Sequence, residues 1–370
     1  MSIKIMSVFG TRPEAIKMVP LIKELDNNKS FDSVVCVTAQ HREMLDQVLN
    51  TFDIKPKYDL NIMKERQTLT TLTTSIIKEL ELIYLREKPQ VVLVHGDTTT
   101  TFCATLSAFY QKIDIAHIEA GLRSNDLYFP FPEEINRRLT GVLAKYHFAP
   151  TNVSKLNLLN EGVNEENIYV VGNTVIDTMK YTITYNYEFK NEVLRKMDFS
   201  KKVVVVTAHR RENWGEPICN ICNAVKRLAN EYKDSIQFVF LTHLNPIVKE
   251  SVFNILGEIS NVIILMPIDI EDAHNLLSRC FFVMTDSGGI QEEAPYLGKF
   301  VLVLRSETER KEVLDQGIIK LIGTNEEDIY KTSKDFIDGK IEYKNLLNNV
   351  YGDGDASKKI VKILEEKYLK

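Results

Sequence analysis

Three acidic residues and one histidine have the types and surroundings expected of acid and base catalysts. Asp97 and Glu119 each follow a short apolar run, Glu133 follows a Pro-Phe-Pro segment, and His209 lies beside two arginines. Carboxylates that share one site can raise each other's pKa, which keeps an acid and a base available together. Asp97 and Glu133 could instead cap helices, and a lone histidine is more often structural. Acid–base chemistry is therefore one of two interpretations of these four positions.

A glycine-containing turn is the best candidate for binding phosphate. Residues 287–289 (Ser-Gly-Gly) precede a predicted helix, whose first N–H groups and positive dipole favour an anion, although an ordinary strand-to-helix turn has the same composition. Arg12 and Arg310 could supply positive charge for a diphosphate. Glu292 or Glu293 could accept hydrogen bonds from ribose hydroxyls, or simply complement the helix dipole.

Composition excludes several classes of protein. The 370 residues carry 46 basic and 51 acidic side chains, a net charge of −5, which argues against a general nucleic-acid or membrane-surface binder. No run approaches the ~20 apolar residues of a membrane span, and five cysteines suggest a reducing compartment, so a soluble cytoplasmic protein is expected. Cys219 and Cys222 lack a second ligand pair at a zinc spacing. Neither a G-x-G-x-x-G sequence after the first strand nor a P-loop is present, and no metal or nicotinamide cofactor is predicted.

Short apolar runs alternate with helical patterns, which predicts an α/β protein with two Rossmann-like domains, their parallel sheets facing a central cleft. Ligands of such sheets bind beyond the carboxyl ends of the strands, where the polar residues collect. The predicted strands are 3–9, 33–38, 90–95, 113–118, 168–171, 202–207, 236–241, 262–265, 281–285 and 300–304. We expect domains 1–171 and 172–355, with a boundary near Val171 and a C-terminal helix 356–370 that packs back onto the first domain.

Six motifs follow one another along essentially the whole chain. They are Gly10-Thr11-Arg12-Pro13-Glu14-Ala15-Ile16-Lys17, His95-Gly96-Asp97-Thr98-Thr99-Thr100, Ile118-Glu119-Ala120-Gly121-Leu122-Arg123, Phe131-Pro132-Glu133-Glu134-Ile135-Asn136-Arg137, His209-Arg210-Arg211-Glu212-Asn213 and Thr285-Asp286-Ser287-Gly288-Gly289-Ile290-Gln291-Glu292-Glu293-Ala294-Pro295. In this order the motifs resemble those of the non-hydrolysing UDP-N-acetylglucosamine 2-epimerases.

This resemblance implies a glycosyltransferase-like (GT-B) fold and the reversible conversion of UDP-N-acetylglucosamine to UDP-N-acetylmannosamine. The reaction would proceed by anti elimination of UDP through 2-acetamidoglucal and re-addition, without metal or nicotinamide, in a homodimer that serves cell-surface polysaccharide synthesis. The positions that match the family's catalytic residues are Lys17, Asp97, Glu119, Glu133 and His209. Those that match its UDP-binding residues are Arg12, Ser287, Gly288, Gly289, Glu293 and Arg310.

Bacterial members of the family also bind UDP-N-acetylglucosamine at a regulatory site. The matching positions are Gln40, Glu43, Arg66, Gln67, Glu133, Arg211 and His243. Glu43 replaces a glutamine of the family pattern, and a carboxylate near a diphosphate should weaken its binding. Ala273 replaces a phenylalanine near the uracil, and Lys311 replaces a proline. A hydrolysing epimerase, a glycosyltransferase of the same fold and a non-catalytic UDP-sugar sensor are the alternatives. The helix predicted over 69–87 is a candidate for the dimer interface.

Overall fold

The computed structural model describes residues 2–39, 42–63, 67–243, 245–314, 317–341 and 349–369. Contacts divide the chain into two compact units, of which the first contains residues 1–180 and 351–370 and the second residues 181–350. The division falls after Lys180, whereas the sequence predicts it near Val171. Residues beyond Val171 belong to the first unit because Asn173 N–H donates to the Tyr351 carbonyl (2.7 Å) and Thr178 Oγ1 donates to the Ile16 carbonyl (2.6 Å).

The first unit contains a parallel sheet of seven strands within the described residues, in the order β3-β2-β1-β4-β5-β6-β7. The strands are β1 (Ile3–Phe9), β2 (Phe31–Val37), β3 (Tyr58–Asp59), β4 (Val91–His95), β5 (Asp114–Ile118), β6 (Tyr146–Ala149) and β7 (Ile168–Val170). The helices that alternate with them are α1 (Arg12–Asp26), α2 (Arg42–Thr51), α3 (Leu69–Glu87), α4 (Thr99–Tyr110), α5 (Glu133–Leu143), α6 (Asn152–Asn160) and α7 (Thr174–Thr182).

The central strands of this sheet are buried on both faces, which explains their near-continuous apolar sequences. Val8 of β1 lies opposite Cys36 of β2 and Val94 of β4, so the three strands end at one edge. Side chains of α3 and α4, including Leu80 and Ala104, pack with these strands in one core cluster. The loops that follow β1, β4 and β5 are thereby held side by side.

The second unit contains a parallel sheet whose described strands have the order β10-β9-β8-β11-β12-β13. They are β8 (Lys202–Thr207), β9 (Ile236–Leu241), β10 (Val262–Leu265), β11 (Phe282–Thr285), β12 (Phe300–Val303) and β13 (Ile319–Leu321). The helices are α8 (Glu192–Arg195), α9 (Glu216–Glu231), α10 (Pro246–Leu256), α11 (Ile270–Arg279), α12 (Ile290–Tyr296), α13 (Lys311–Leu314) and α14 (Glu326–Ile337).

The core of the second unit lies between this sheet and its helices. Phe238 and Phe282 of the strands pack in one cluster with Ile221 and Leu228 of α9 and Phe336 of α14. β8 lies between β9 and β11, and its residues 203–206 are fully buried. The loops after β8, β11 and β12 therefore share one edge of the sheet.

The chain ends in helix α15 (Ala356–Tyr368), which belongs to the first unit. The Tyr368 hydroxyl of this helix donates a hydrogen bond to Asp114 of β5. Its Glu365 carboxylate accepts a hydrogen bond (3.1 Å) from the hydroxyl of Ser30, in the turn between α1 and β2. These contacts hold the helix against the first sheet. Across the described part of the chain, no helix has both the length and the apolar character needed to cross a membrane.

Candidate active site

A group of polar side chains surrounds Glu119, just after β5. Lys17 of α1 forms a short ion pair with Glu119 Oε2, and Asn173 Nδ2 donates to the same oxygen at 2.8 Å. His95 Nε2 lies 3.9 Å from that oxygen, and desolvation lowers the pKa of His95 to about 4, with Glu119 opposing the shift and Lys17 adding to it. The structure thus brings together two of the predicted catalytic residues, Lys17 and Glu119, which are nearly buried.

The backbone of Glu119 has an unfavourable conformation. Its φ is 64°, in the left-handed region, where a non-glycine residue costs of order 1–3 kcal/mol. Such a conformation persists only where the surroundings stabilise it, as the ion pair with Lys17 and the hydrogen bond from Asn173 do here. A Cβ on Gly96 would lie 3.6 Å from Glu119 Oε1, so this oxygen lies over the loop that precedes Asp97.

Asp97 follows β4 on that neighbouring loop, and α5 supplies its partners. Arg137 Nη2 lies 2.6 Å from Asp97 Oδ2, and Asn136 Nδ2 donates to the Asp97 carbonyl at 3.0 Å. Asp97 is not the helix cap that its position allowed, because Thr98 caps α4 by accepting from the Thr101 N–H. Glu133 is the first residue of α5 and is half-buried, one turn before Arg137 on the same face of the helix.

Glu14 of α1 ties the loop after β1 to the loop after β4. Its Oε2 accepts from the backbone N–H groups of Gly10 (3.0 Å) and Thr11 (2.8 Å), and its Oε1 accepts from the hydroxyls of Thr98 (2.7 Å) and Thr101 (3.2 Å). Burial raises the pKa of Glu14 above its ordinary value, and these hydrogen bonds oppose the shift. The carboxylate therefore orients both loops, including half-buried Arg12 at the start of α1.

In the second unit, a fully buried carboxylate orients His209. Asp286, after β11, accepts at Oδ2 from the backbone N–H groups of His209 (2.8 Å) and Arg210 (2.9 Å) and from Asn213 Nδ2 (2.9 Å). Its Oδ1 lies 3.2 Å from His209 Nδ1. Desolvation lowers the pKa of His209, and the Asp286 charge opposes this shift. Asp286 thus fixes the backbone of the loop that carries His209.

Arg310 lies against the glycine turn that the sequence selects for phosphate. A Cβ on Gly288 would lie 3.1 Å from the Arg310 guanidinium, so the absence of a side chain allows this approach. Arg310 donates to Glu292 Oε1 through Nε (3.0 Å) and Nη2 (2.7 Å), and through Nη1 to Glu309 (3.3 Å). Although burial alone would raise it, the Arg310 and Arg305 charges lower the pKa of Glu309 to about 2. Arg305 and Arg310 thus form ion pairs with the buried carboxylates of Glu292 and Glu309.

Glu293 lies at the same turn, but its neighbours are Gly289 and His274, whereas Glu292 is paired with Arg310. A Cβ on Gly289 would lie 3.3 Å from Glu293 Oε1, and Glu293 Oε2 lies 3.7 Å from His274 Nε2. The Thr182 hydroxyl lies 2.6 Å from His274 Nδ1. Glu293 is therefore the more accessible of the two glutamates, since the Glu292 side chain is fully buried.

Most of the described positions that the sequence predicts to be regulatory are exposed. Glu43 on α2, Arg211 and His243 are exposed and Gln67 is half-buried, and the rings of His243 and His209 lie 6.0 Å apart. Gln40 and Arg66 lie outside the described residues.

Sequence reasoning missed the residues that hold the catalytic candidates in place. His95, Arg137 and Asp286 lie inside the recognised motifs, so a closer look at those motifs could have found them. Asn173 lies in none of them. Among the described residues, no group of three or more His, Cys, Asp or Glu side chains has a geometry that could hold a metal ion.

Comparisons with known proteins agree over nearly the whole chain. The sequence model of the family described as UDP-N-acetylglucosamine 2-epimerase matches residues 23–365. A Bacillus subtilis protein named UDP-N-acetylglucosamine 2-epimerase is 50% identical over 98% of this chain and 95% of its own length. The structure of S. aureus MnaA with UDP is 51% identical, covers 99% of this chain and 97% of its own, and has a TM-score of 0.92. The structure of a Neisseria meningitidis UDP-GlcNAc 2-epimerase bound to UDP-GlcNAc is 48% identical, covers 98% of this chain and 100% of its own, and has a TM-score of 0.92.

Proposed function

The chain belongs to the UDP-N-acetylglucosamine 2-epimerase family, and we propose that it interconverts UDP-N-acetylglucosamine and UDP-N-acetylmannosamine without hydrolysing them. The observation that carries this proposal is the pair of carboxylates, Asp97 and Glu119, at the ends of adjacent strands and each paired with its own cation. Inversion at C2 requires that a proton leaves one face of the sugar and another arrives on the opposite face. Two carboxylates on different loops suit this requirement.

The proposed reaction is an anti elimination of UDP that gives 2-acetamidoglucal, followed by re-addition of UDP. As the C1–O bond breaks, positive charge develops at C1 and the C2 hydrogen becomes acidic. Asp97 and Glu119 would then transfer the C2 proton, with Lys17 keeping Glu119 charged. Glu133, on the helix that binds Asp97, would complete this group.

The departing diphosphate would be bound by residues of the second unit. Ser287, Gly288 and Gly289 form the turn that would hold it, and the Arg310 guanidinium lies over that turn. Glu293, whose carboxylate is partly accessible, would bind the ribose. His209, whose ring lies beside the Asp286 carboxylate, would assist the departure of UDP.

Proton NMR of the wild-type protein with UDP-N-acetylglucosamine in heavy water tests the proposal. UDP-N-acetylmannosamine carrying deuterium at C2, with little free sugar, is the expected product. Free N-acetylmannosamine and UDP would assign the protein to the hydrolysing class. An unchanged sugar would contradict the proposed activity, and exchange at the wild-type rate in Asp97→Asn and Glu119→Gln would contradict the residue assignment.

We also propose regulation by a second molecule of UDP-N-acetylglucosamine at Glu43, Gln67, Arg211 and His243, together with Gln40 and Arg66. All but Glu43 have the family's residue type, and the proximity of the His243 and His209 rings offers a link to the active site. Added UDP-N-acetylglucosamine should then activate the reverse reaction. Hyperbolic kinetics without such activation would contradict the proposal.

We propose a homodimer formed through α3, α4 and α5, which pack side by side. These helices expose several large apolar side chains, and exposed apolar surface of this kind is typical of interaction sites. The exposed side chains are Leu82, Leu85, Phe109, Tyr110 and Val142. The reaction would take place in the cytoplasm, where the five unpaired cysteines would remain reduced.

A further inference from the structure

The two carboxylate oxygens of Glu119 have different surroundings. Oε2 receives the Lys17 ammonium and the Asn173 amide, whereas Oε1 lies over Gly96, next to Asp97. We propose that Asn173 is a positioning residue, which holds Glu119 Oε2 and so fixes the orientation of the carboxylate that exchanges a proton with C2 of the sugar. This inference rests on the proposed function.

Asn173 is itself held so firmly that its amide can have only one orientation. Its backbone N–H donates to the Tyr351 carbonyl (2.7 Å), and its Oδ1 accepts from the Val175 N–H at the start of α7 (3.1 Å). Because Oδ1 already serves as an acceptor there, Nδ2 is the atom that faces Glu119. The residue is only 2% exposed, so solvent contributes little to this arrangement.

Residues 172–173 and 351–352 lie against each other beside the Asn173 side chain, and this close approach depends on two glycines. A Cβ on Gly172 would lie 2.8 Å from the Tyr351 carbonyl oxygen, and one on Gly352 would lie 3.0 Å from the Gly172 Cα. Both glycines have positive φ, 99° and 96°. The returning segment therefore lies directly against residues 172–173, and it fixes the backbone from which the Asn173 side chain reaches Glu119.

Lys17 alone would not fix the orientation of the Glu119 carboxylate. An ammonium group on a flexible stem acts as a point charge and can follow the carboxylate as it rotates. A buried amide N–H is directional, and its hydrogen bond weakens steeply when the geometry changes. Lys17 therefore accounts for the charge of Glu119, and Asn173 accounts for its orientation.

Two substitutions separate the positioning role from the helix cap. Asn173→Ala removes both the donor to Glu119 and the cap on Val175. Asn173→Asp keeps an oxygen for Val175 but removes the donor and places a second carboxylate beside Oε2, where Lys17 from α1 and His95 from β4 are the neighbouring charged or titratable groups. Asn157→Ala is the matched control, because Asn157 Nδ2 also donates near this loop, to the Gly121 carbonyl (2.9 Å), without touching a carboxylate.

We expect Asn173→Ala to lower kcat about 10- to 100-fold with KM within about threefold of wild type, since the lost bond is one to a charged group. Asn173→Asp should also move the acidic limb of the kcat–pH profile upward by about one unit or more, because two adjacent carboxylates resist simultaneous ionisation. Asn157→Ala should keep the wild-type kcat and pH profile, and all three variants should bind UDP with the wild-type Kd in calorimetry.

A kcat for Asn173→Ala equal to that of Asn157→Ala would overturn the inference, as would an Asn173→Asp profile with an unmoved acidic limb. An equal fall in both alanine variants would also overturn it, because it would show a general effect of losing an asparagine amide that donates near this loop. Should Asn173→Ala fail to fold, the pH profile of Asn173→Asp decides the question alone. A failure of the proposed function would be distinguishable, since the wild-type protein would then give no epimer.

Discussion

Three buried histidines in adjacent strands should make the first unit sensitive to acid. His95 of β4, His117 of β5 and His147 of β6 are 3%, 1% and 1% exposed. Desolvation lowers their pKa values to about 4, about 3 and about 4, respectively. His117 Nε2 lies 2.7 Å from the Gly96 carbonyl, so the neutral ring donates a hydrogen bond to the loop that carries Asp97. Protonation of these rings would therefore disturb the site as well as the fold.

The sign of the effect follows from the unfolded chain, in which a histidine has a pKa of about 6.5. Between about pH 6.5 and about pH 4 the unfolded chain binds protons that the folded unit does not bind. Stability is thus fully present above about pH 6.5 and is lost as the pH falls towards the folded values. Each histidine contributes a slope of about 1.4 kcal/mol per pH unit, so three contribute about 4 kcal/mol per unit near pH 5.

Hydrogen exchange of peptides from β4, β5 and β6 between pH 7 and pH 5, corrected for the intrinsic exchange rate, measures the opening free energy of this unit. His117→Gln keeps an amide donor for Gly96 but cannot titrate, and it should reduce the slope near pH 5 by about 1.4 kcal/mol per unit. Ile115→Val, a buried change in the same strand, should lower stability by about 1 kcal/mol at every pH and leave the slope unchanged. A wild-type slope in His117→Gln would refute the reasoning.

Three further predictions concern the proposed activity and the proposed dimer. Asp286→Asn should lower kcat about 10- to 100-fold, because His209 loses the carboxylate beside Nδ1; steady-state kinetics with an unchanged kcat would contradict this role. Arg310→Lys should weaken UDP binding at least about 10-fold in calorimetry, since a lysine cannot reproduce the planar contacts to Glu292 and the glycine turn; an unchanged Kd would remove Arg310 from the UDP site. Leu82→Lys should convert the dimer to a monomer in sedimentation velocity, because a charge would enter the exposed apolar surface of α3; an unaltered dimer would exclude that surface.

The sequence predicts the regular part of the fold well because buried parallel strands have a simple signature. β8, β9 and β10 have the predicted bounds, since each is an almost continuous apolar run. β6 and β13 are not predicted, because a histidine or a lysine interrupts a run of only four or three residues. Such an interrupted short run shows neither a continuous apolar stretch nor a clear alternation.

The candidate site is predictable as a set of loops and not as a set of contacts. Parallel strands end at one edge, so Asp97, Glu119 and His209 could be placed at sheet edges from the sequence. Their partners depend on strand order, which one sequence does not reveal. Asn173 lies 54 residues from Glu119 along the chain, and Asp286 lies 77 residues from His209. Only the adjacency of β8 and β11 brings the second pair together.

Glu119 combines several locally unfavourable features, and this combination supports the role proposed for its carboxylate. A glycine would adopt a φ of 64° without strain, and the loop after β5 already contains Gly121 at 92°. The chain instead has a glutamate in the left-handed region, with a buried lysine committed to its charge and a buried asparagine committed to its orientation. Each of these features is unfavourable alone, because strain and the burial of charged groups both oppose folding. They become intelligible together when one carboxylate oxygen must be presented at a fixed point, which is the requirement of proton transfer at a sugar carbon.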